Sequence, residues 1–365
     1  MNILLVTNHL NVGGITSYCL TLATGLKKRG HNVYLASSGG ELADKFREEG
    51  IIFVPIPIRT KSEISPKIIF SLIKLIPFIR KEKISVIHAN SRTTQVLSLY
   101  LSRLCRIPYV STCHGFFQKR AGRLIFPCWG EMTVAISDSV KEHLVNDFRL
   151  NPQRVRVIYN GIDTERFKKR NSVAPERLRK ELNLKEGPVI GIIARLSDVK
   201  GHIYLLEAMK EVIEGERRAQ LIIAGEGKMK LQLLALCRTL GIENNVYFMP
   251  SAKDTIDVLS LLDVFVMPSL KEGLGLALME AMAFGLAVVG SRVGGIENLI
   301  SHAENGLLVP AADPKALGRA ILELLLDKEK RLRFGSAASL FISKNFSAEK
   351  MSQQTERLYL ECQNA

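Results

Sequence analysis

The alternation of two kinds of segment along nearly the whole chain is the feature that most constrains its fold. Short apolar runs rich in Val and Ile alternate with longer amphipathic stretches. This alternation is typical of parallel sheets that carry helices on both faces. It predicts seven strands and five helices up to residue 160, and six strands and five helices beyond residue 187.

A turn signal at Asn160-Gly161 separates the two halves of this pattern. The polar, charge-dense run over residues 164–186 then predicts an interdomain connection with an exposed helix. A chain of 365 residues is long enough for two domains. We predict an N-terminal domain over residues 1–163 and a C-terminal domain over residues 164–345. Because ligands of such sheets bind beyond the carboxyl ends of the strands, we expect the site in the cleft between the domains.

The cysteines and the apolar stretches argue against several classes of protein. The six cysteines form no CxxC pair, so neither a disulfide framework nor a zinc cluster is predicted. The first residues lack the basic region and the cleavage site of a secretory signal. The longest apolar stretch, residues 68–79, is interrupted by Lys74 and Pro77 and is shorter than the ~20 residues of a spanning helix. We therefore expect a protein of the reducing cytosol.

The net charge of +14 is concentrated in the first half of the chain. Residues 1–160 contain 22 Lys and Arg against 10 Asp and Glu, whereas residues 161–365 contain 28 against 26. Such asymmetry indicates that the first half faces an anionic partner, either nucleic acid or a membrane surface. The absence of a recognition motif and the aromatic content of 7% argue against nucleic acid.

Two junctions between a strand and a helix could hold a phosphate. Gly13-Gly14 would let the backbone approach an anion at a helix N-terminus, although a simple turn is the alternative. Its spacing is not GxGxxG, which argues against a dinucleotide dehydrogenase. Arg195 and Lys200 flank the loop after a strand that ends at Ala194. Two cations there suit a diphosphate, with solvated surface charges as the alternative.

Two glutamates eight residues apart mark a third candidate, Glu272 and Glu280. Glu272 precedes a glycine-rich turn whose backbone amides could hold a sugar or phosphate oxygen. Glu280 follows on an otherwise apolar helix that begins near Leu276, where a buried carboxylate is costly unless hydroxyls or cations satisfy it. For Glu280 the alternative is an ordinary surface glutamate.

Taken in this order, these motifs resemble the GT4 family of retaining glycosyltransferases. Five further segments support the resemblance: Thr112-Cys113-His114-Gly115, Ala135-Ile136-Ser137, Asn160-Gly161-Ile162-Asp163, Ala224-Gly225-Glu226-Gly227 and Gly294-Gly295-Ile296-Glu297. The similarity extends from Met1 to about Leu340. It implies the GT-B fold, in which two Rossmann-like, doubly wound domains face each other across a cleft. It also implies a last helix, within residues 346–365, that crosses back to the N-terminal domain.

The resemblance implies a role for each matched residue. Arg195 and Lys200 would bind the diphosphate of a nucleotide-sugar, helped by the backbone at Gly13 and Gly14. Glu280 would accept hydrogen bonds from the ribose hydroxyls. The base would lie near Pro250–Lys253, by position only. Contacts to the donor sugar and phosphate would come from Glu272 and from the amides of Gly273, Leu274, Gly275 and Leu276.

His114 completes the implied catalytic set, because it follows a predicted strand and would reach the donor sugar near the reaction centre. A structural hydrogen-bonding role is the alternative for this histidine. The implied reaction moves a hexose from a UDP- or GDP-sugar with retention, through same-face attack. Fixed cations and oriented amides can stabilise the charge on a leaving diphosphate. Since no DxD motif indicates a bound metal, we expect no cofactor and no metal.

The segment after His114 mixes cations with aromatic side chains, as an acceptor or membrane side of the site would. Residues 67–83 add an apolar stretch with basic residues, which fits an interfacial helix or simply a helix that covers the sheet. We expect a cell-envelope glycan or lipid-linked acceptor, contact with an anionic membrane at its cytoplasmic face, and no nucleic acid. The residues predicted for the acceptor or membrane side are Phe116, Phe117, Lys119, Arg120, Arg123 and Trp129.

Two other functions remain open from the sequence. A sugar-nucleotide 2-epimerase of the same fold would need acid and base carboxylates and no acceptor, and the spacing of Glu272 and Glu280 fits transfer better. A non-catalytic nucleotide-binding module is disfavoured because every donor-site position carries the expected type of residue.

Overall fold

Two parallel sheets organise the chain in this computed structural model, which describes residues 1–119, 121–168, 174–252 and 254–364. Within those residues one sheet has seven strands and the other six. One unit comprises Met1–Gly161 with Ala348–Ala365, and the other comprises Ile162–Ser347. Two parallel α/β units confirm the predicted fold class. The numbers of strands in these described residues, seven and six, are those predicted.

The first sheet has the order β3-β2-β1-β4-β5-β6-β7, with every neighbouring pair parallel. Its central strands are apolar and buried because helices cover both faces of the sheet. The strands are β1 (Asn2–Val6), β2 (Asn32–Ser37), β3 (Ile52–Pro55), β4 (Val86–Ala89), β5 (Tyr109–Cys113), β6 (Met132–Ala135) and β7 (Val155–Val157).

Some helices of the first unit begin at a side chain that caps them. Ser65 accepts a hydrogen bond from the Lys67 amide, and Pro66 occupies the first helical position, where a missing N–H costs nothing. Ser137 caps the helix after β6 in the same way. The helices are α1 (Gly14–Lys28), α2 (Ala43–Glu48), α3 (Pro66–Lys81), α4 (Arg92–Cys105), α5 (Ala121–Ile125) and α6 (Asp138–Phe148).

The second sheet has the order β10-β9-β8-β11-β12-β13 and is also parallel throughout. Its strands are β8 (Val189–Ile193), β9 (Gln220–Ala224), β10 (Val246–Met249), β11 (Val264–Met267), β12 (Ala287–Ser291) and β13 (Leu307–Val309). Its helices are α7 (Thr164–Lys168), α8 (Ala174–Glu181), α9 (His202–Gly215), α10 (Lys230–Leu240), α11 (Thr255–Leu259), α12 (Leu276–Phe284), α13 (Pro314–Leu326) and α14 (Lys328–Asn345).

The last helix, α15 (Ala348–Gln363), belongs to the first unit. It packs so closely on α1 that a Cβ at Gly25 would lie 2.7 Å from the Ser352 hydroxyl. The fully buried Tyr359 hydroxyl is hydrogen-bonded to His88 Nδ1 on β4 at 2.5 Å. These contacts make the end of the chain part of the first core.

Two stretches add to the sequence prediction. The charge-dense run over residues 164–186, predicted as a connection with one exposed helix, contributes two helices, α7 and α8, to the second unit. Helix α14 was not predicted, because its buried face carries only Phe334, Ala338 and Ile342 among large or apolar side chains. Exposed Leu332 and Leu340 blur that period further. A few core contacts are enough when a neighbouring surface is already formed.

Among the described residues, no helix is both long and apolar enough to cross a bilayer.

Candidate active site

The carboxyl edge of the second sheet brings together three of the predicted donor-site segments. Strands β8 and β11 are neighbours, so the loops that follow them start side by side. The loop after β8 contains an exposed Arg195 and ends at Gly201, whose φ of +71° favours glycine. A Cβ at Gly201 would lie 1.8 Å from the Pro268 carbonyl oxygen after β11. The absence of a side chain there allows the two loops to touch.

Lys200 and Glu272 meet at this contact. Lys200 Nζ lies 2.5 Å from Glu272 Oε2, and the Ser269 hydroxyl donates to the same oxygen at 3.3 Å. Both charged side chains are mostly buried, which strengthens their attraction relative to a surface pair. An ammonium group has three donors, so Lys200 can hold Glu272 and still bind a second anion.

The glycine-rich turn after Glu272 leads directly into α12. Gly275 precedes the helix with a φ of +93° and offers no capping side chain. The first amides of α12 and the positive end of its dipole therefore remain suited to an anion. The loop after β12 closes over this turn, since the Gly295 amide donates to the Glu272 carbonyl oxygen at 3.1 Å. The turn is thus held between two neighbouring loops.

Glu280 lies one turn further along α12, in a mostly apolar setting. Burial raises the pKa of its carboxyl to about 7, and the charge of Asp254 acts in the same direction. A hydrogen bond from Thr255 and the charge of Arg166 oppose the rise. Arg166 itself pairs with Asp254 at 2.8 Å. Glu280 is therefore close to half ionised at neutral pH, and a hydroxyl-rich ligand would favour its ionised form.

In the first unit, His114 directly follows β5 and bonds to a residue that follows β4. Its Nε2 lies 3.1 Å from Asn90 Oδ1. Because Asn90 Nδ2 donates to the carbonyl oxygens of Val6 and His88, Oδ1 must face the ring and accept from it. Nε2 therefore carries the proton, and Nδ1 is left as an acceptor. Burial lowers the pKa of His114 to about 3, which keeps the imidazole neutral.

A series of buried hydrogen bonds, here called the buried chain, supports His114. His88 bonds through its two ring nitrogens to Tyr359 and to the Thr112 hydroxyl, the latter at 2.6 Å. Thr112 Oγ1 lies 3.2 Å from the Tyr18 hydroxyl, and the Tyr18 ring meets the His114 ring edge-on at 4.7 Å. This arrangement fixes the ring of His114 through contacts with α1 and α15.

The aromatic and basic segment after His114 is folded inward more than the sequence predicts. Arg123 and Trp129 are only 7% and 9% exposed. The guanidinium of Arg123 stacks 3.8 Å from the centre of the Phe117 ring and 5.0 Å from that of Trp129. Arg123 and Trp129 therefore pack inside the first unit, which corrects their predicted place on an acceptor surface. Large aromatic faces stabilise an arginine cation and exclude water from it.

Two other members of this segment also have partners within the first unit. Lys119 Nζ lies 2.7 Å from Asp147 Oδ1, and the Phe116 ring packs edge-on against His143 at 5.3 Å. Arg120 lies outside the described residues. Gly13 and Gly14 stand exposed at the start of α1. The predicted base position, Pro250–Lys253, follows β10, and its last residue is also outside the described ranges.

Comparisons with known proteins match both halves of the chain. The model for Glycosyltransferase Family 4 matches residues 12–166, and the model for glycosyl transferases group 1 matches residues 175–341. The chain belongs to the GT4 family of glycosyltransferases. The two matches correspond to the two α/β units, so together they include most of this glycosyltransferase.

Two relatives and one solved structure are similar to this chain. The N-acetyl-alpha-D-glucosaminyl L-malate synthase of Bacillus anthracis is 27% identical over 97% of this chain and 95% of its own. The UDP-Gal:alpha-D-GlcNAc-diphosphoundecaprenol alpha-1,3-galactosyltransferase of Escherichia coli is 27% identical, over 85% and 83%. The structure of Anabaena HepE with UDP and glucose has a TM-score of 0.86 at 21% identity, over 99% and 100%. This last likeness shows the GT-B fold.

Several residues of this glycosyltransferase were missed by sequence reasoning. Arg166, Asp254 and Thr255 surround Glu280, yet Arg166 lies in the run that was interpreted as a connection. His88 and Tyr359 support His114, but no motif marks either residue. His88 does carry a signal, since it is a polar residue inside an apolar strand, which only a folded partner can explain. Among the described residues, no three His, Cys, Asp or Glu side chains cluster as a metal site.

Proposed function

We propose that this glycosyltransferase moves a hexose from a UDP- or GDP-sugar to a cell-envelope glycan or lipid-linked acceptor, with retention and without a metal. The observation that carries the proposal is the pairing of Lys200 with Glu272 beside the open N-terminus of α12. One mostly buried cation and a set of backbone amides there suit a diphosphate, while the adjacent carboxylate suits sugar hydroxyls. The Escherichia coli relative, by its name, uses UDP-Gal and a diphosphoundecaprenol-linked acceptor.

The proposed reaction exchanges one bond at the anomeric carbon for another. The bond to the donor phosphate oxygen breaks, and its electron pair stays with the diphosphate. The acceptor hydroxyl oxygen bonds to the same face of the anomeric carbon, and its proton passes to the leaving phosphate. Lys200, Arg195 and the amides of α12 stabilise the charge that develops on the diphosphate. No enzyme nucleophile is needed in this scheme.

Glu272 and Glu280 divide the recognition of the donor. Glu272 accepts hydrogen bonds from sugar hydroxyls, which strengthen as oxocarbenium character develops on the ring. Since it also holds Lys200, it couples the position of the sugar to that of the diphosphate. Glu280 accepts from the ribose hydroxyls and gains its full charge when they replace the solvation lost on burial.

His114 acts in this proposal as a neutral hydrogen-bonding group. Its pKa of about 3 prevents it from serving as a cationic acid at neutral pH. Nδ1 is available to accept from a sugar hydroxyl, since Nε2 donates to Asn90. We therefore assign it to orienting the donor sugar and excluding water, with no proton transfer.

A donor panel tests the proposal. Purified protein is incubated with UDP-, GDP- and ADP-sugars, with and without a membrane lipid extract, and each reaction is run both with and without a chelator. We expect nucleotide release with one UDP- or GDP-sugar, stimulation by the extract, and a product whose anomeric configuration by NMR matches the donor. Inversion would contradict same-face attack. Conversion of the donor without an acceptor would favour the epimerase, and no turnover with any donor would remove the enzymatic proposal.

A further inference from the structure

Helix α3 exposes apolar side chains on the face where a surface helix normally carries polar ones. Ile69, Phe70 and Ile73 are 59%, 60% and 64% exposed, while Ile68, Leu75 and Ile79 are buried against the sheet. At 3.6 residues per turn, the three exposed residues share one stripe of the helix. Adjacent exposed residues of this size mark an interaction surface more often than chance exposure does.

A second segment with exposed apolar residues lies near the start of α3. Arg92 forms a bidentate ion pair with Glu63, at 2.8 and 2.6 Å, and donates to the Phe126 carbonyl oxygen at 2.6 Å. A Cβ at Gly122 would lie 3.7 Å from the same Glu63 carboxylate. The short helix α5 therefore lies beside the residues that lead into α3. The exposed apolar residues of these two neighbouring segments, here called the apolar ridge, are Ile64, Ile69, Phe70, Ile73, Leu124 and Ile125.

The charge around the ridge is one-sided. Residues 59–83 contain seven Lys and Arg but only two acidic residues, Glu63 and Glu82. Glu63 is held by Arg92, and Glu82 accepts from the Tyr34 hydroxyl. Lys67 and Lys74 lie next to the ridge on the exposed side of α3. An apolar stripe with flanking cations complements an interface where acyl chains meet anionic headgroups.

We propose that the apolar ridge docks this protein onto an anionic bilayer. The surface deepens the proposed function and rests on it for the reason to dock, since a lipid-linked acceptor lies in such a bilayer. Residues 56–65 connect the carboxyl end of β3 to helix α3, and His114 follows β5 at the same edge of the first sheet. Docking through the ridge would thus bring the bilayer surface to the edge of the unit that carries His114.

The charge pattern favours lipid over a protein partner as the occupant. A protein partner would need acidic groups placed opposite individual side chains. A headgroup layer instead supplies mobile negative charge that adapts to flexible lysines. Lysine and arginine stems can also lie along apolar surface while their charges reach the headgroups.

Vesicle sedimentation of the full chain tests the proposal without requiring any catalytic activity. The probes are vesicles of phosphatidylcholine alone and vesicles of equal parts phosphatidylcholine and phosphatidylglycerol. We expect the protein to pellet with the second kind only, and less so at high salt. The triple variant Ile69→Ser, Phe70→Ser, Ile73→Ser should lose at least about tenfold in vesicle affinity, because each side chain contributes apolar burial. Lys67→Gln with Lys74→Gln should weaken binding and reduce its salt dependence.

A matched control replaces two apolar side chains of comparable exposure in the second unit. Leu231 and Leu340 are 81% and 70% exposed, and Leu231→Ser with Leu340→Ser should leave vesicle binding unchanged. Thermal unfolding of each variant reports whether it is folded. Nucleotide release without lipid should be the same in the triple variant as in the unchanged protein.

The possible outcomes separate this proposal from the proposed function. Equal binding to both kinds of vesicle, no binding, or full binding by the folded triple variant would overturn docking. A dimer in light scattering that the triple variant abolishes, with no vesicle binding, would assign the ridge to self-association instead. Vesicle binding without turnover of any donor would leave docking intact and remove the enzymatic proposal.

Discussion

The candidate site residues at the carboxyl edges of the two sheets are positioned in different ways. In the second unit, Lys200 and Glu272 each belong to a short sequence motif. They meet because their loops follow neighbouring strands. In the first unit, His114 is fixed by Asn90, Tyr18 and a buried chain that ends at Tyr359 on the last helix. The difference teaches that the members of a charged pair can each be recognised from a motif at the end of a strand, whereas the residues that orient the imidazole carry no such motif.

The largest effect is expected for Lys200→Ala. It removes a cation from the diphosphate and leaves the mostly buried Glu272 carboxylate without its cationic partner. Loss of one such electrostatic contact lowers turnover about a hundredfold or more. Steady-state kcat/KM measures the change, and Lys228→Ala, which removes an exposed lysine nearby, serves as the control. Similar rates in the two variants would contradict the role of Lys200.

A smaller loss is expected for Glu272→Ala. The sugar hydroxyls lose an acceptor, but Lys200 is released to bind the diphosphate fully. We therefore expect kcat to fall roughly tenfold to a hundredfold while the affinity for free nucleotide stays the same or rises. Calorimetric titration with nucleotide and turnover assays separate the two quantities. Weaker nucleotide binding with unchanged kcat would reverse the assignment.

Tyr359→Phe probes the distant support of the first unit. The change removes one hydroxyl and leaves His88 Nδ1 buried without its partner. The free energy of unfolding should fall by about 1–3 kcal/mol, measured by urea denaturation. Turnover should fall with it because His114 is less well oriented, and nucleotide binding should not change. As a control, Tyr247→Phe alters a partly exposed tyrosine of the second unit. Unchanged stability in Tyr359→Phe would show that the buried chain is not a support.

The smallest effect is a pH dependence at Glu280. Its pKa of about 7 means that the carboxyl is mostly protonated at pH 6 and mostly ionised at pH 8. Ribose hydroxyls donate to the ionised form, so nucleotide affinity should rise with pH by up to about tenfold. Titrations with nucleotide over this range measure it, and Glu280→Gln should show a flat profile. Flat affinity in the unchanged protein would place the ribose elsewhere.

The same carboxyl has the opposite effect on stability in the absence of donor. Its folded pKa is raised above the usual value of 4.5, so the folded state holds the proton more tightly than the unfolded state. The contribution of Glu280 is therefore fully present below that value and is lost as pH rises through about 7. Opposite pH trends of stability and affinity would sharpen the contrast between this ligand-dependent glutamate and the neutral His114.

Much of the second unit's site could be predicted because its motifs are short and each follows a strand. A cation or carboxylate directly after a parallel strand lies at the carboxyl edge of the sheet, because the strand itself places it there. The first unit was harder to predict for the opposite reason. Arg123 and Trp129 have the composition of a surface for anions, yet they pack on Phe117 in the interior. A cation stacked on aromatic rings and an exposed cation look the same in sequence.

The sequence by itself determined the alternation of strands and helices, the two parallel units, and the glycines and charged residues at the ends of the second unit's strands. These depend on side-chain period and on junctions a few residues long. Only the tertiary structure decided that Arg166 lies near Glu280, that Tyr359 supports His88, and that α3 exposes Ile69, Phe70 and Ile73. Each of these depends on which surface packs against a distant segment. The local sequence does not determine the free energy of that packing.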